Sequence, residues 1–290
     1  MLFQRKCLLI YIIVFACTLT FLNSCKHKDY QSPAGYNLSQ PVKMDVGEAL
    51  VEISGITYNT DNNSLLAISD SKRHVFDVNF RKRKLSDYTD KVVAADSDLE
   101  DLVKVGDTVY LLSSRGIITA VTKGAKDSAS IPSYTLNLQG QSDFESIYYD
   151  PTAKGLVIIC KTCAFDKGHH ARSAFRFDLV TKTFDTTLFY SFDIQEVRKL
   201  LKDDNAKFDP SAAAIHPINK RLYIVSSAGN LLVIADTRGK LIEGYKLNPE
   251  EFPQAEGIAF APNGDMFISN EGKFGKANLL IFPYKSKEKK

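Results

Sequence analysis

Glu145-Ser-Ile-Tyr-Tyr-Asp-Pro151, followed after three residues by Gly155-Leu-Val-Ile-Ile-Cys-Lys161, is the stretch from which the fold is read. An acid opens a short apolar run, a turn interrupts it, and a second apolar run follows. Two such runs joined by a tight turn predict a β-hairpin. The first half recurs as Ser54-Gly-Ile-Thr-Tyr-Asn-Thr60, Glu100-Asp-Leu-Val-Lys-Val-Gly106, Ser211-Ala-Ala-Ala-Ile-His-Pro217 and Glu256-Gly-Ile-Ala-Phe-Ala-Pro262. The second half recurs as Ser64–Asp70, Thr108–Ser114, Arg221–Ser227 and Asp265–Glu271. Turns such as Asn59–Asn63 and Pro262-Asn-Gly-Asp265 carry the residues that tight turns demand.

The motif starts at 54, 100, 145, 211 and 256, so three of the four intervals are 45 or 46 residues and one is 66. A period near 45 with about four strands per unit predicts an all-β, five-bladed β-propeller. The alternative is a six-bladed propeller with a blade hidden in the long interval. That interval predicts a short helical insertion instead: Asp193-Ile-Gln-Glu196 has a capping carboxylate with Glu three residues on, and Ile194, Val197, Leu200 and Leu201 share one face. The fifth unit ends after about three strands at Ile281–Tyr284, and Tyr36–Val46 reads as a strand without a unit. The expectation is that it completes the last blade and closes the ring, removing the exposed edges.

Two residues before each motif start stands another polar group, giving the pairs Glu52/Ser54, Asp98/Glu100, Asp143/Glu145, Asp209/Ser211 and Gln254/Glu256. Residues i and i+2 of a strand face one side, so the innermost strands would line the axis with oxygen-bearing side chains. Converging carboxylates raise one another's pKa unless a cation compensates them. Oxygen-only donors suit Ca²⁺, and the set lacks the His and Cys that softer metals favour. Glu100, Glu145 and Glu256 are the first ligand candidates, with Asp98 and Asp143 next. Glu52, Asp70, Asp209, Asn270 and Glu271 are candidates for the rim. A hydrated acidic channel mouth, or carboxylates capping strand-edge N–H groups, is the alternative to a bound cation.

The blade starts Ser54-Gly-Ile56, Asp98-Leu-Glu-Asp-Leu102, Phe144-Glu-Ser-Ile147 and Gln254-Ala-Glu-Gly-Ile-Ala259 resemble those of the SdiA-regulated, YjiK-like proteins, in order and over the whole mature domain. The resemblance implies a five-bladed propeller distantly related to NHL repeats, with a calcium site lined by blade acids. It supports Glu100, Glu145 and Glu256 as ligands and implies no particular substrate. Ser211-Ala-Ala213 departs from the acidic pattern, so a lopsided site is expected.

Arg5 and Lys6 precede an uncharged stretch, Cys7–Leu22, that is short for a membrane span but fits a secretory signal. Leu22-Asn-Ser-Cys25 then resembles a bacterial lipobox, which makes Cys25 the expected lipidation site, acylated by palmitate-like chains. The expected organisation is a signal peptide over 1–24, an anchor and polar tether over 25–35, the propeller over 36–284 and a basic tail over 285–290. The expected location is the cell envelope, at an outer membrane facing the periplasm, with surface display as the alternative. The formal charge of +3 loses Arg5 and Lys6 with the signal and becomes +1, which is no nucleic-acid footprint. A monomer is expected, its partners the membrane through Cys25 and a small-molecule or protein ligand on the propeller face.

After export only Cys160 and Cys163 remain beside the anchor, so no disulfide scaffold supports the fold. Cys160-Lys-Thr-Cys163 with His169-His170 admits a metal knuckle, a local disulfide or two structural thiols. No Gly-x-Ser-x-Gly, His-Glu-x-x-His or Gly-rich phosphate loop occurs, and His74, His169, His170 and His216 are scattered. Two functions follow: a binding or scaffold propeller stapled by a central cation, or a calcium-dependent hydrolase of the lactonase, phytase or esterase kind.

Overall fold

A computed structural model describes residues 30–89, 98–122, 131–185 and 187–286. The expected signal peptide, Cys25 and the tail beyond 286 lie outside the described residues. Five antiparallel sheets form a ring. Strand β1 (Val42–Asp45) comes first in the chain but belongs to the last sheet. Blade one holds β2 (Ile53–Asn59), β3 (Ser64–Ser69), β4 (Lys72–Asn79) and β5 (Lys84–Asp87). Blade two holds β6 (Leu99–Val105), β7 (Thr108–Ser113), β8 (Ile117–Thr122) and β9 (Ser133–Thr135). Blade three holds β10 (Ser142–Asp150), β11 (Gly155–Cys163), β12 (Ala171–Asp178), β13 (Thr183–Phe184) and β14 (Tyr190–Asp193). The α-helix α1 (Ile194–Leu201) leads into blade four, formed by β15 (Ala212–Ile215), β16 (Leu222–Ser226), β17 (Leu231–Ala235) and β18 (Leu241–Lys246). Blade five holds β19 (Ala255–Phe260), β20 (Met266–Asn270) and β21 (Asn278–Phe282).

The five motif copies are the innermost strands β2, β6, β10, β15 and β19, packed side by side around the axis. The ring closes as the incomplete fifth unit predicts: β1 pairs with β21, Val42 opposite Ile281 and Asp45 opposite Asn278. Tyr36, ahead of β1, locks this closure. Its hydroxyl donates to the Gly264 carbonyl (2.6 Å) and meets His216 Nε2 at 2.7 Å. His216 Nδ1 accepts from the backbone N–H groups of Ile218 and Asn219, so Nε2 carries the proton and donates to Tyr36. One buried histidine thereby ties the N-terminal strap to the turns of blades four and five.

The long interval contains no sixth blade. It adds β14, which pairs with β12 on the edge of blade three, and then α1. Asp193 caps α1 by accepting from Gln195 N, while Glu196 pairs with Lys199 instead of reaching back to complete a capping box. Ile194 and Val197 are buried, and Leu200 and Leu201 lie half-buried over Gly244 of β18. Clusters of buried Ile, Leu, Val, Phe and Tyr fill the spaces between neighbouring blades.

Candidate functional site: the axial acid ring

The three glutamates that open motif copies occupy the same kind of backbone irregularity. Leu99 pairs with Ser113 and Asp101 with Leu112, so Glu100 is an extra residue in β6. Glu145 is the extra residue between Phe144 and Ser146 in β10, and Glu256 between Ala255 and Gly257 in β19. Blade one has the corresponding shift between Ile53 and Ile56. A bulge locally re-aims side chains and is common beside functional sites. Here it places each glutamate, half-buried, at one end of the central channel while its neighbours in the strand point into the blades.

The acids meet across the axis. Burial and then the nearby charges of Glu145, Asp98, Asp70 and Asp143 push Glu100 up to about 9. Burial raises Glu145, against the pull of the Lys161 ammonium it pairs with, and Glu256 and Asp143 add to the rise. Glu256 is raised by burial, opposed by hydrogen bonds from Gln254 and from Ser211 and Ser227 of blade four. Asp70, Asp143 and Glu271 are also raised, each first by burial. The acids of blades two and three are therefore the ones that most resist ionisation in the metal-free ring.

Two features create this environment. Ile56, Leu102, Ile147, Ala213 and Ile258, two residues beyond each motif start, line an apolar axial cavity of about 290 Å³ beyond the acids. These side chains are buried and apolar, and an apolar surround disfavours ionised carboxylates. On the side of blades two and three the acids open into a cleft of about 900 Å³, lined by Asp98, Glu100, Arg115, Asp143, Glu145 and Cys163 among others.

The rim candidates divide. Asp98 hydrogen-bonds Ser114, and Asp70 hydrogen-bonds Asp98, so both join the acids of blades two and three. Glu52 and Glu271 lie within electrostatic reach of Asp70, and Glu271 accepts from Gln254. Asp209 is instead neutralised by Arg172. Asn270 is not at the rim: it is fully buried inside blade five, donating to the Glu251 carbonyl (3.1 Å) and Asn278 Oδ1 (3.0 Å). Blade four is not the gap its alanines suggest, because Ser211 contributes a hydroxyl to Glu256.

Cys160 and Cys163 form a disulfide, which resolves their three sequence readings. Among the described residues, the one trio of His, Cys, Asp or Glu donor atoms within 4.8 Å of one another is Cys160, Cys163 and Asp166, and with both sulfurs bonded it offers no thiolate. No three ring carboxylates of the described residues lie mutually within that distance. Lys161, which pairs with Glu145, and Arg172 are site residues that the sequence reading missed. The signal for Lys161 was its place at the end of a second strand, where other blades put Ser, Asp or Glu.

Asp101 belongs to the ring's scaffold and not to its surface. It is fully buried; Oδ1 accepts from Leu102 N (2.8 Å) and Oδ2 from Ile147 N of blade three (3.0 Å). A Cβ on Gly55 would fall 2.6 Å from the Asp101 Cα, and one on Gly257 2.9 Å from the Ser54 carbonyl oxygen. The motif's second position is short because the next blade's backbone touches it there.

No curated protein sequence matches the chain. Among solved structures, virginiamycin B lyase from Staphylococcus aureus is similar at 14% identity over 79% of this chain and 67% of that one, with a TM-score of 0.44. A streptogramin B lyase is similar at 12% identity over 84% and 97%, with a TM-score of 0.48. The extracellular domain of a hybrid two-component system from B. thetaiotaomicron is similar at 11% identity over 81% and 28%, with a TM-score of 0.44. A sequence profile matches residues 33–274, nearly the whole propeller, and by that match the chain belongs to the SdiA-regulated family.

Proposed function

We propose that this protein is an exported, lipid-anchored propeller that binds a divalent cation, Ca²⁺ by the chemistry of its donors, in the axial acid ring and acts as a binding or scaffold module. The observation that carries the reading is the convergence of Glu100, Glu145 and Glu256 from three blades, each at a bulge, above an apolar floor. The donor set fits the ion. Glu145 Oε2 and Gln254 Oε1 are buried oxygens without a hydrogen-bond partner, and the ring offers oxygen without His or Cys. Glu100 and Glu145, with Asp98 and Asp143 beside them, would hold the ion. When bound, the ion would supply the positive charge the ring lacks. A ligand would reach it through the cleft between blades two and three.

Among the described residues no helix is long and apolar enough to cross a membrane. In this reading the attachment is the acylated Cys25, and replacing it by Ser should release the protein from the membrane fraction. Isothermal titration with Ca²⁺ should give saturable binding near one ion per chain, lost or strongly weakened in Glu100→Gln. Elemental analysis without calcium, together with melting curves unmoved by chelator or added Ca²⁺, would overturn the cation. Calcium-dependent turnover of lactone, phosphoester or aryl-ester substrates, abolished in Glu145→Gln, would replace the scaffold role with hydrolysis.

A further inference from the structure

We propose that Lys161 is a resident cation of the acid ring, seated there by the Cys160–Cys163 disulfide, and that a divalent cation must displace its ammonium from Glu145. The displacement rests on the cation reading above; the seating does not. Two irregularities face one another in blade three. Asp143 pairs with Thr162 and Phe144 with Cys160, so Lys161 is an extra residue in β11, directly beside the extra residue Glu145 in β10. The two extra residues form the ion pair. Lys161 also acts electrostatically on Asp143 and Glu256, so its charge reaches two blades.

The disulfide brackets this double bulge. It closes over only Lys161 and Thr162. So short a loop removes little entropy from the unfolded chain, so the bond's main effect is local geometry. Both cysteines are buried, and Cys160 Sγ lies 3.4 Å from the Asp143 carbonyl oxygen, against the strand that carries Glu145. After Cys163 the chain is fixed by buried Asp166, which accepts from Ser173 N (3.1 Å) and Ser173 Oγ (2.5 Å). The backbone on either side of Lys161 is thus pinned, and the side chain has the ring as its polar neighbourhood. Only one Glu145 oxygen is used; Oε2 has no partner. A lysine ammonium is a compact point charge that supplies part of what a metal would supply, without closing the site.

Lys161→Met keeps the length and removes the charge. Calcium affinity, by titration calorimetry, should tighten at least about tenfold, since a repelling charge a few Å from the ion is gone. The Cys160→Ser/Cys163→Ser pair should tighten it less, about two- to fivefold, and add nothing to Lys161→Met, because both changes act through one ammonium. Metal-free Lys161→Met should melt below the wild type, and Glu145→Gln should restore it. If the wild type binds calcium and Lys161→Met binds no tighter, the displacement is overturned while the cation reading stands. If neither binds, the cation reading falls with it. If metal-free Lys161→Met melts no lower than the wild type, or if the cysteine variants leave the Lys161–Glu145 coupling in melting unchanged, the seating is overturned.

Discussion

At the scale of single residues, neighbours in one motif do unlike work. Glu100 turns to the axis, whereas Asp101 turns into the blade and holds two backbone N–H groups, one of them from blade three. Asp101→Ala leaves both donors buried without a partner, at about 1–3 kcal/mol each, so denaturant unfolding should show a loss of about 2–6 kcal/mol; Asp101→Asn, which keeps an acceptor, should lose about half of that. His216 yields a pH prediction of definite sign. Burial, and then Lys220, lower it from 6.5 to about 4. The fold therefore holds it neutral: this stability is complete above pH 6.5 and is lost as pH falls through about 4. Melting temperature followed across that window should fall more steeply in the wild type than in His216→Asn. Had the histidine been solvated, the two slopes would coincide. The sequence showed His216 as one of the scattered histidines and held no sign of the strap tyrosine that buries it, because that partner lies 180 positions away.

At the scale of elements, the 45-residue period was legible because each inner strand keeps its apolar run and its short second residue wherever the next blade touches it. Ring closure was legible for a related reason, since a blade one strand short and a strand without a blade imply each other. Removing residues 30–46 should expose β21 as an edge, so the shortened chain should self-associate in sedimentation and melt well below the parent; a monomer of unchanged stability would show that β1 does not close the ring. The bulges were not legible. Strict alternation brought Asp98 and Glu100 to one side on paper, but an extra residue is defined by the partner strand's register, which one strand's sequence does not contain. The double bulge of β10 and β11 was hidden twice over, since Lys161 reads as the end of an apolar run until the disulfide brackets it. Blade four misled in the opposite direction, because a serine hydroxyl bonding Glu256 resembles nothing in an acid pattern.

At the scale of the molecule, the ring opposes the fold it sits in, and pH should expose the conflict. Glu100, which has no cationic partner among the causes of its shift, retains its proton up to about 9 in the folded chain, against 4.5 in the open chain. Groups raised in this way favour the folded state fully below pH 4.5 and lose that contribution as pH climbs through their folded values. The sign is opposite to that of His216, so the metal-free protein should be most stable in a window between the acid limb, set by His216, and the alkaline limb, set by the ring. On the alkaline side the melting temperature should fall steadily toward pH 9, and Glu100→Gln, which cannot ionise, should flatten the fall. Saturating Ca²⁺ should flatten it as well and raise the melting temperature most at the alkaline end, where the carboxylates no longer need to release protons to bind it. A cation bound elsewhere on the surface would raise the curve without changing its slope, so the slope separates the axial site from any other. Adding Ca²⁺ to Glu100→Gln supplies the last comparison: with its most strongly shifted acid removed, the ring should gain little further stability from the ion at any pH.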